Sequence, residues 1–205
     1  MSNGYTLYAR SGSGSIAPQI LLEELGEPHT VVWVDADAAA APAYRRICPT
    51  GKVPALGLPD GSALFESAAI CIHLTDTHPG SGLAPAPGTS AHAQYLQWML
   101  FMATGLYETA LRIFYAPRYS TADDSAGVKA AALAEFEGQL ALVEARLAPG
   151  LLGDAISAAD IYLFMLVGWH PDGEAAVGAR FPRIAALCAR VAARPVVARV
   201  MAANA

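Results

Sequence analysis

The chain has 205 residues, 54% of them hydrophobic and only 15% charged, which is enough apolar content for a sizeable folded core and excludes a disordered chain. Eighteen acidic against 13 basic residues give a net charge of −5 without any basic block, so the footprint of a nucleic-acid partner is missing. The three cysteines, Cys48, Cys71 and Cys188, lack CxxC spacing, and no apolar run reaches the ~18 residues that cross a bilayer. The expectation is a cytoplasmic protein with no disulfide framework, no metal and no membrane partner.

Tyr5–Ala9 is a short apolar run that reads as a strand. It meets Ser11-Gly12-Ser13-Gly14-Ser15, a turn-forming stretch, and then an apolar helix over 16–25. Pro18 is tolerated in that helix because first-turn N–H groups lack helical partners, and Gly26 is suited to stop it. Ser15 is placed as its cap. Residues 30–34 are β-branched and aromatic, hence a strand. The Ala-rich stretch 35–47 is weakly helical and broken at Pro42. Two short strands, 54–58 and 63–65, flank Pro59-Asp60-Gly61, whose fixed φ, local side-chain bonding and permitted positive φ make a hairpin turn. A helix over 67–77 closes the first half.

Residues 79–90, PGSGLAPAPGTS, read as a linker. Everything beyond is helical. Tyr95, Trp98, Met99, Met102 and Leu106 share one helix that continues toward Phe114. Leu133, Phe136, Leu140, Val143 and Leu147 form the apolar face of another, and 161–169 is apolar nearly all round, so that helix is central and buried. Two last helices, 181–193 and 196–203, are separated by Arg194-Pro195. The pattern is an α/β domain over 1–79, a linker over 80–90 and an all-helical domain over 91–205.

Four features occur in one order: the strand, Ser-rich turn and helix at the start; Pro49-Thr50-Gly51-Lys52-Val53-Pro54-Ala55-Leu56; Leu64-Phe65-Glu66-Ser67-Ala68-Ala69-Ile70; and Gly153-Asp154-Ala155-Ile156-Ser157-Ala158-Ala159-Asp160. Together they resemble the cytosolic glutathione S-transferases, with the bacterial beta-type nearest in the Ser-Ile-Ala-Pro helix start and the Tyr-Leu-Phe-Met run. The resemblance implies an N-terminal thioredoxin-like domain and a C-terminal helical bundle, a homodimer, and an enzyme that binds glutathione, stabilises its thiolate and adds it to a hydrophobic electrophile. It implies a cis Val53-Pro54 bond that offers the Val53 backbone to the cysteinyl unit of glutathione like an added strand. Glu66 would meet the γ-glutamyl ammonium, Ser67 and its helix N-terminus the adjoining carboxylate, and Lys52 the glycyl carboxylate. Thr104 of the other subunit would reach the γ-glutamyl end. Ser157-Ala-Ala-Asp160 is a capping box with a role in folding.

A thiol of ordinary pKa is mostly protonated at neutral pH, so such an enzyme must favour the thiolate. Here the sequence departs from the beta-type pattern. The cysteine position falls on Gly14, and a position often held by histidine falls on Tyr107. The candidates for the thiolate donor are Ser13, preferred slightly, then Ser11, Tyr8, or the backbone N–H groups of the turn. Tyr107, Phe114, Tyr115 and Trp169 are the aromatic candidates for contact with the second substrate. His170 reads as a helix-end histidine. Two other readings remain open: a glutathione-dependent peroxidase or reductase, and a non-catalytic glutathione-binding module.

Overall fold

The computed structural model describes residues 4–121 and 124–205. The chain divides into two compact units, one of Met1–Pro87 together with Ala192–Ala205, the other of Gly88–Val191. The grouping differs from the sequence reading in two respects, the first being that the expected linker is divided, with 80–87 in the first unit and 88–90 in the second. The last helix belongs with the α/β unit, because its apolar residues Val197 and Val200 are buried and it packs against the first helix.

In the first unit, β1 (Tyr5–Ala9) runs parallel to β2 (His29–Trp33) and antiparallel to β3 (Ala55–Gly57), which pairs antiparallel with β4 (Ala63–Phe65), in the order β2-β1-β3-β4. β1 alternates between buried and half-buried residues, as a strand with unlike faces must. β3 starts after Pro54, which has no N–H to give a ladder. The helices are α1 (Ile16–Glu24), the short α2 (Ala36–Ala40) and α3 (Pro42–Arg45) that Pro42 separates, α4 (Ser67–Asp76), and the terminal Pro195–Ala203. Seven consecutive residues of α1, Ile16 to Leu22, are buried, so this helix is the spine of the unit.

In the second unit, α5 (Ser90–Phe101) starts inside the expected linker, with Thr89 capping it through its hydroxyl and the His92 N–H at 3.1 Å. A five-residue π stretch, Met102–Leu106, interrupts what periodicity reads as one helix before α6 (Tyr107–Phe114). A 3₁₀ turn (Ala116–Tyr119) leads to α7 (Ser125–Arg146), then come α8 (Ala158–Val167), α9 (Gly173–Arg180) and α10 (Pro182–Ala192), which makes the terminal helix α11. All ten residues of α8 are buried, in agreement with its apolar circumference. Glu144 of α7 accepts the Arg183 and Ile184 N–H groups at 2.9 Å each, so its carboxylate caps α10. Among the described residues no helix is long and apolar enough to cross a membrane.

The capping box is present and does more than cap. The Asp160 carboxylate accepts the Ser157 N–H at 2.8 Å and hydroxyl at 2.6 Å, and also the Leu151 N–H at 2.9 Å. The residue is fully buried, so its removal strands two backbone donors out of reach of water. Asp160→Ala is expected to cost about 3 kcal/mol and Ser157→Ala about 1 kcal/mol, read from urea unfolding midpoints; equal effects would show that the bond to Leu151 contributes nothing.

Candidate active site

Three segments leave the sheet at one end. The register pairs Tyr8 with Ala55 and Ala55 with Phe65. The turn after β1, the Val53-Pro54 segment before β3 and Glu66-Ser67 after β4 therefore emerge side by side. The helices that follow the first and third of these, α1 and α4, both start there, so two helix N-termini with their positive dipole ends serve the same edge.

The Val53-Pro54 bond is cis. The loop before it is held from beneath. Tyr44 of α3, buried, donates its hydroxyl to the Lys52 carbonyl at 2.7 Å. Thr50 Oγ1 accepts the Lys52 N–H at 3.3 Å and lies 3.1 Å from Cys48 Sγ, and Arg45 reaches the Pro49 carbonyl at 3.3 Å. Gly51 has φ +67°, and a Cβ there would sit 3.1 Å from the Ala39 carbonyl oxygen, so this position needs glycine twice over. Burial, with Cys48 adding to it, pushes the Tyr44 phenol well above its ordinary range, so the group stays a neutral donor. Outside the helix and strand ladders, no backbone hydrogen bond among the described residues engages the Val53 N–H or C=O. Lys52 has an exposed side chain.

Glu66 caps α4 with φ +74° and ψ +113°, and is the one non-glycine residue of positive φ among the described residues. Such a conformation costs on the order of 1–3 kcal/mol and persists where the surroundings fix it. The Glu66 side chain is exposed and Ser67 is buried at the first position of the helix. A carboxylate on the outside and a helix N-terminus behind it offer opposite charges to the two ends of an α-amino acid.

The turn after β1 is organised around one atom, the Arg10 carbonyl oxygen. It accepts the Ser13 hydroxyl at 2.7 Å, the Ser15 hydroxyl at 3.1 Å and the Ser13 N–H at 3.3 Å. The two hydroxyl oxygens are 2.9 Å apart. Ser15 precedes α1 as expected but does not cap it through its side chain; its hydroxyl turns back to Arg10 because its own backbone is already helical. Ser11 donates its hydroxyl to the Asn204 carbonyl. Its single proton is therefore engaged, as is that of Ser13 on the Arg10 carbonyl, which the Ser15 hydroxyl also reaches. Gly14, which the sequence reading sets at the beta-type cysteine position, is buried. Tyr8 lies 5.6 Å from Tyr44, ring to ring, packed against the cluster of Val34, Tyr44 and Cys48.

The remaining sequence candidates lie in the second unit. Tyr107 and Trp169 meet edge to face at 5.0 Å. Phe114 and Tyr115 are 54% and 44% exposed at the far end of α6, with Arg118 stacked over Tyr115. Thr104 is exposed in the π stretch and its hydroxyl donates to the Leu100 carbonyl at 2.9 Å. His170 follows α8 as expected, and its ring is enclosed: Nδ1 accepts the Asp172 N–H at 3.2 Å, and Nε2 faces Arg180 at 3.3 Å and Glu137 at 3.6 Å. Burial pushes the Cys71 thiol up, and burial with Glu174 and Asp160 pushes Cys188 up to about 12, so neither supplies a thiolate at neutral pH.

The sequence left two residues unmarked, Tyr44 and Asn204. A tyrosine in a broken Ala-rich stretch was the only available signal for the first.

Comparison with known proteins matches residues 17–77 to the family "Glutathione S-transferase, N-terminal domain" and residues 106–195 to "Glutathione S-transferase, C-terminal domain". A glutathione S-transferase of Xanthomonas campestris pv. campestris is 31% identical over 82% of this chain and 83% of its own length. A sphingomonad glutathione S-transferase solved with glutathione superposes with TM-score 0.83 at 32% identity, over 97% of this chain and 98% of the other. The bacterial beta-class enzyme of Sphingomonas chungbukensis gives TM-score 0.82 at 28% identity with the same coverage. The chain belongs to the glutathione S-transferase family, and both halves of its fold are those of that family.

The strained Glu66 separates conformation from charge. Glu66→Gly accepts the positive φ without a Cβ, so the fold is expected to hold or gain up to about 1 kcal/mol in thermal unfolding, while glutathione affinity falls. Tyr44→Phe is expected to weaken glutathione binding several-fold by freeing the Lys52 carbonyl. An unchanged titration curve in both variants would remove this edge of the sheet from the binding site.

Proposed function

We propose that the α/β unit binds glutathione along the edge formed by residues 11–15, 53–54 and 66–67, and that the protein conjugates it to hydrophobic electrophiles. The convergence of two helix N-termini on the strand-end backbone of Val53 carries this reading. Glutathione has two carboxylates, one ammonium and a thiol. The γ-glutamyl ammonium is assigned to Glu66 and its carboxylate to Ser67 and the first N–H groups of α4. The cysteinyl amide pairs with the Val53 N–H and C=O, and Lys52 is assigned to the glycyl carboxylate.

The sulfur lies over the turn at residues 11–15 and the start of α1. Ser13 is the proposed hydroxyl donor: when its proton turns to the sulfur, the Ser15 hydroxyl retains the Arg10 carbonyl. The N–H groups of the turn and the α1 dipole add to the preference for thiolate. The thiol proton leaves to solvent, the sulfur forms a C–S bond to the electrophilic carbon, and the leaving group departs with its electron pair. Tyr107, Trp169 and Phe114 are assigned to apolar contact with the electrophile. A homodimer with the Glu66 region and the helix carrying Thr104 at its interface, and a cytoplasmic location, complete the proposal. No metal takes part in it.

One observation favours a second reading. Both Ser11 and Ser13 hydroxyls have partners inside the chain, so the turn could hold glutathione without activating it, as a non-catalytic module would. Peroxide or disulfide chemistry through a protein thiol is disfavoured by Gly14.

Glutathione titration and turnover of 1-chloro-2,4-dinitrobenzene separate these readings. Saturable binding with turnover is expected, and Ser13→Ala is expected to lower kcat/KM about 10- to 100-fold, the worth of one hydrogen bond to a charged group. Binding without turnover across several electrophiles would favour the module. Unchanged turnover in Ser13→Ala would assign the thiolate to the backbone N–H groups.

A further inference from the structure

The C-terminal segment is tied to the spine of the first unit along its length. Arg194 makes a bidentate pair with Glu24, at 2.6 and 2.5 Å, and Arg199 reaches Glu23 at 3.0 Å. At the other end Asn204 Nδ2 donates to Gln19 Oε1 at 2.9 Å. Since Arg194 meets the end of α1 and Asn204 its beginning, α11 runs antiparallel to α1.

Asn204 is a junction of hydrogen bonds. Its N–H closes the last turn of α11 on the Val200 and Met201 carbonyls, both at 3.1 Å, and its Nδ2 also donates to the Val200 carbonyl at 2.9 Å. Its own carbonyl accepts the Ser11 hydroxyl. The residue is 8% exposed and Gln19 is 4% exposed, so both amides are withdrawn from water. Asn204 Oδ1 is buried with no hydrogen-bond partner. An unsatisfied buried acceptor costs stability, and it stands against the bonds that the Asn204 N–H, Nδ2 and carbonyl make. What it does is fix one end of the turn that carries Ser13.

We infer that Asn204 and Ser11 are positioning residues for thiolate formation: through the Asn204 carbonyl, the C-terminus pins the first residue of the turn and so sets where the Ser13 hydroxyl stands relative to the sulfur. The inference rests on the proposed binding of glutathione at this turn. Gly12, which follows Ser11 with φ +66° and open space about its Cα, lets the turn change course easily. Without a tether at Ser11 the donors would have to be organised at the moment of reaction, and preorganised donors are the effective ones. Ser11 acts here through the turn and does not touch the sulfur.

The test compares Ser11→Ala, Ser11→Thr and a chain ended at Ala203, which lacks the accepting Asn204 carbonyl, with the unmodified chain, each checked for a cooperative thermal transition. Three quantities are read: the dissociation constant of glutathione, the apparent pKa of its bound thiol from ultraviolet thiolate absorbance, and the pH profile of kcat/KM with 1-chloro-2,4-dinitrobenzene. Ser11→Ala and the shortened chain are both expected to raise the bound thiol pKa by about one unit, a tenfold loss of thiolate below that pKa, with glutathione affinity measured below that pKa changed less than about twofold. Ser11→Thr, which keeps the hydroxyl, is expected to behave as the unmodified chain. A raised pKa in Ser11→Ala and not in the shortened chain would make Ser11 a direct donor and overturn the inference, as would unchanged values in both variants or an equal loss of glutathione affinity below that pKa. An unmodified chain that fails to bind or turn over glutathione overturns the functional reading itself, a result visible before any variant is made.

Discussion

The hydrogen bond from the buried Tyr44 hydroxyl to the Lys52 carbonyl is the contact on which the proposed binding edge depends. A loop before a strand has no ladder to fix it, and a peptide ligand that pairs with backbone needs the N–H and C=O of one residue at fixed positions. Tyr44 supplies that fixity from a four-residue helix which has little propensity to form alone. Burial keeps the phenol protonated, so the donor is present at any ordinary pH. The bond also ties the weak α2–α3 segment to β3, so the least regular part of the sheet domain and the binding residue next to it share one anchor.

The contrast between the two halves of the site follows from what each must do. At Val53 and Glu66 the chain offers groups directed outward: a backbone pair without loop partners, and a carboxylate on a strained cap. At residues 11–15 the hydroxyls are directed inward, onto the Arg10 and Asn204 carbonyls. In the proposed mode, binding is preorganised in the geometry, while activation requires one hydroxyl to change partner. That exchange is cheap at Ser13, because Ser15 already lies within reach of the carbonyl it would leave.

Legibility in the sequence followed the range of the interaction. Ser157 and Asp160 are three residues apart, and their box was plain; the added bond to Leu151 is nine residues away and was not. α8 was marked as buried because its apolar residues leave no polar face. α9 was missed because Gly173, Gly178 and three alanines give no stripe, and Val177 alone is buried. The π stretch was missed because its sequence keeps helical spacing on both sides. Val53-Pro54 and Glu66-Ser67 were found only as motifs in order; singly, each reads as a turn or a cap. Tyr44 and Asn204 act across eight and 185 or more residues, distances over which no periodicity operates.

A glycine at position 14 constrains chemistry more than it constrains fold. A buried glycine beside a helix N-terminus leaves the N–H groups of the turn in place and takes away the side chain that could form a mixed disulfide. Cys71 and Cys188 lie in surroundings that hold their thiols protonated. The turn can then act on a thiol brought by the ligand, through hydrogen bonds and the dipole of α1, and it has no sulfur of its own for covalent exchange. Such a site is suited to making a thiolate and letting it react elsewhere. Addition of glutathione to a carbon electrophile asks for that and nothing more.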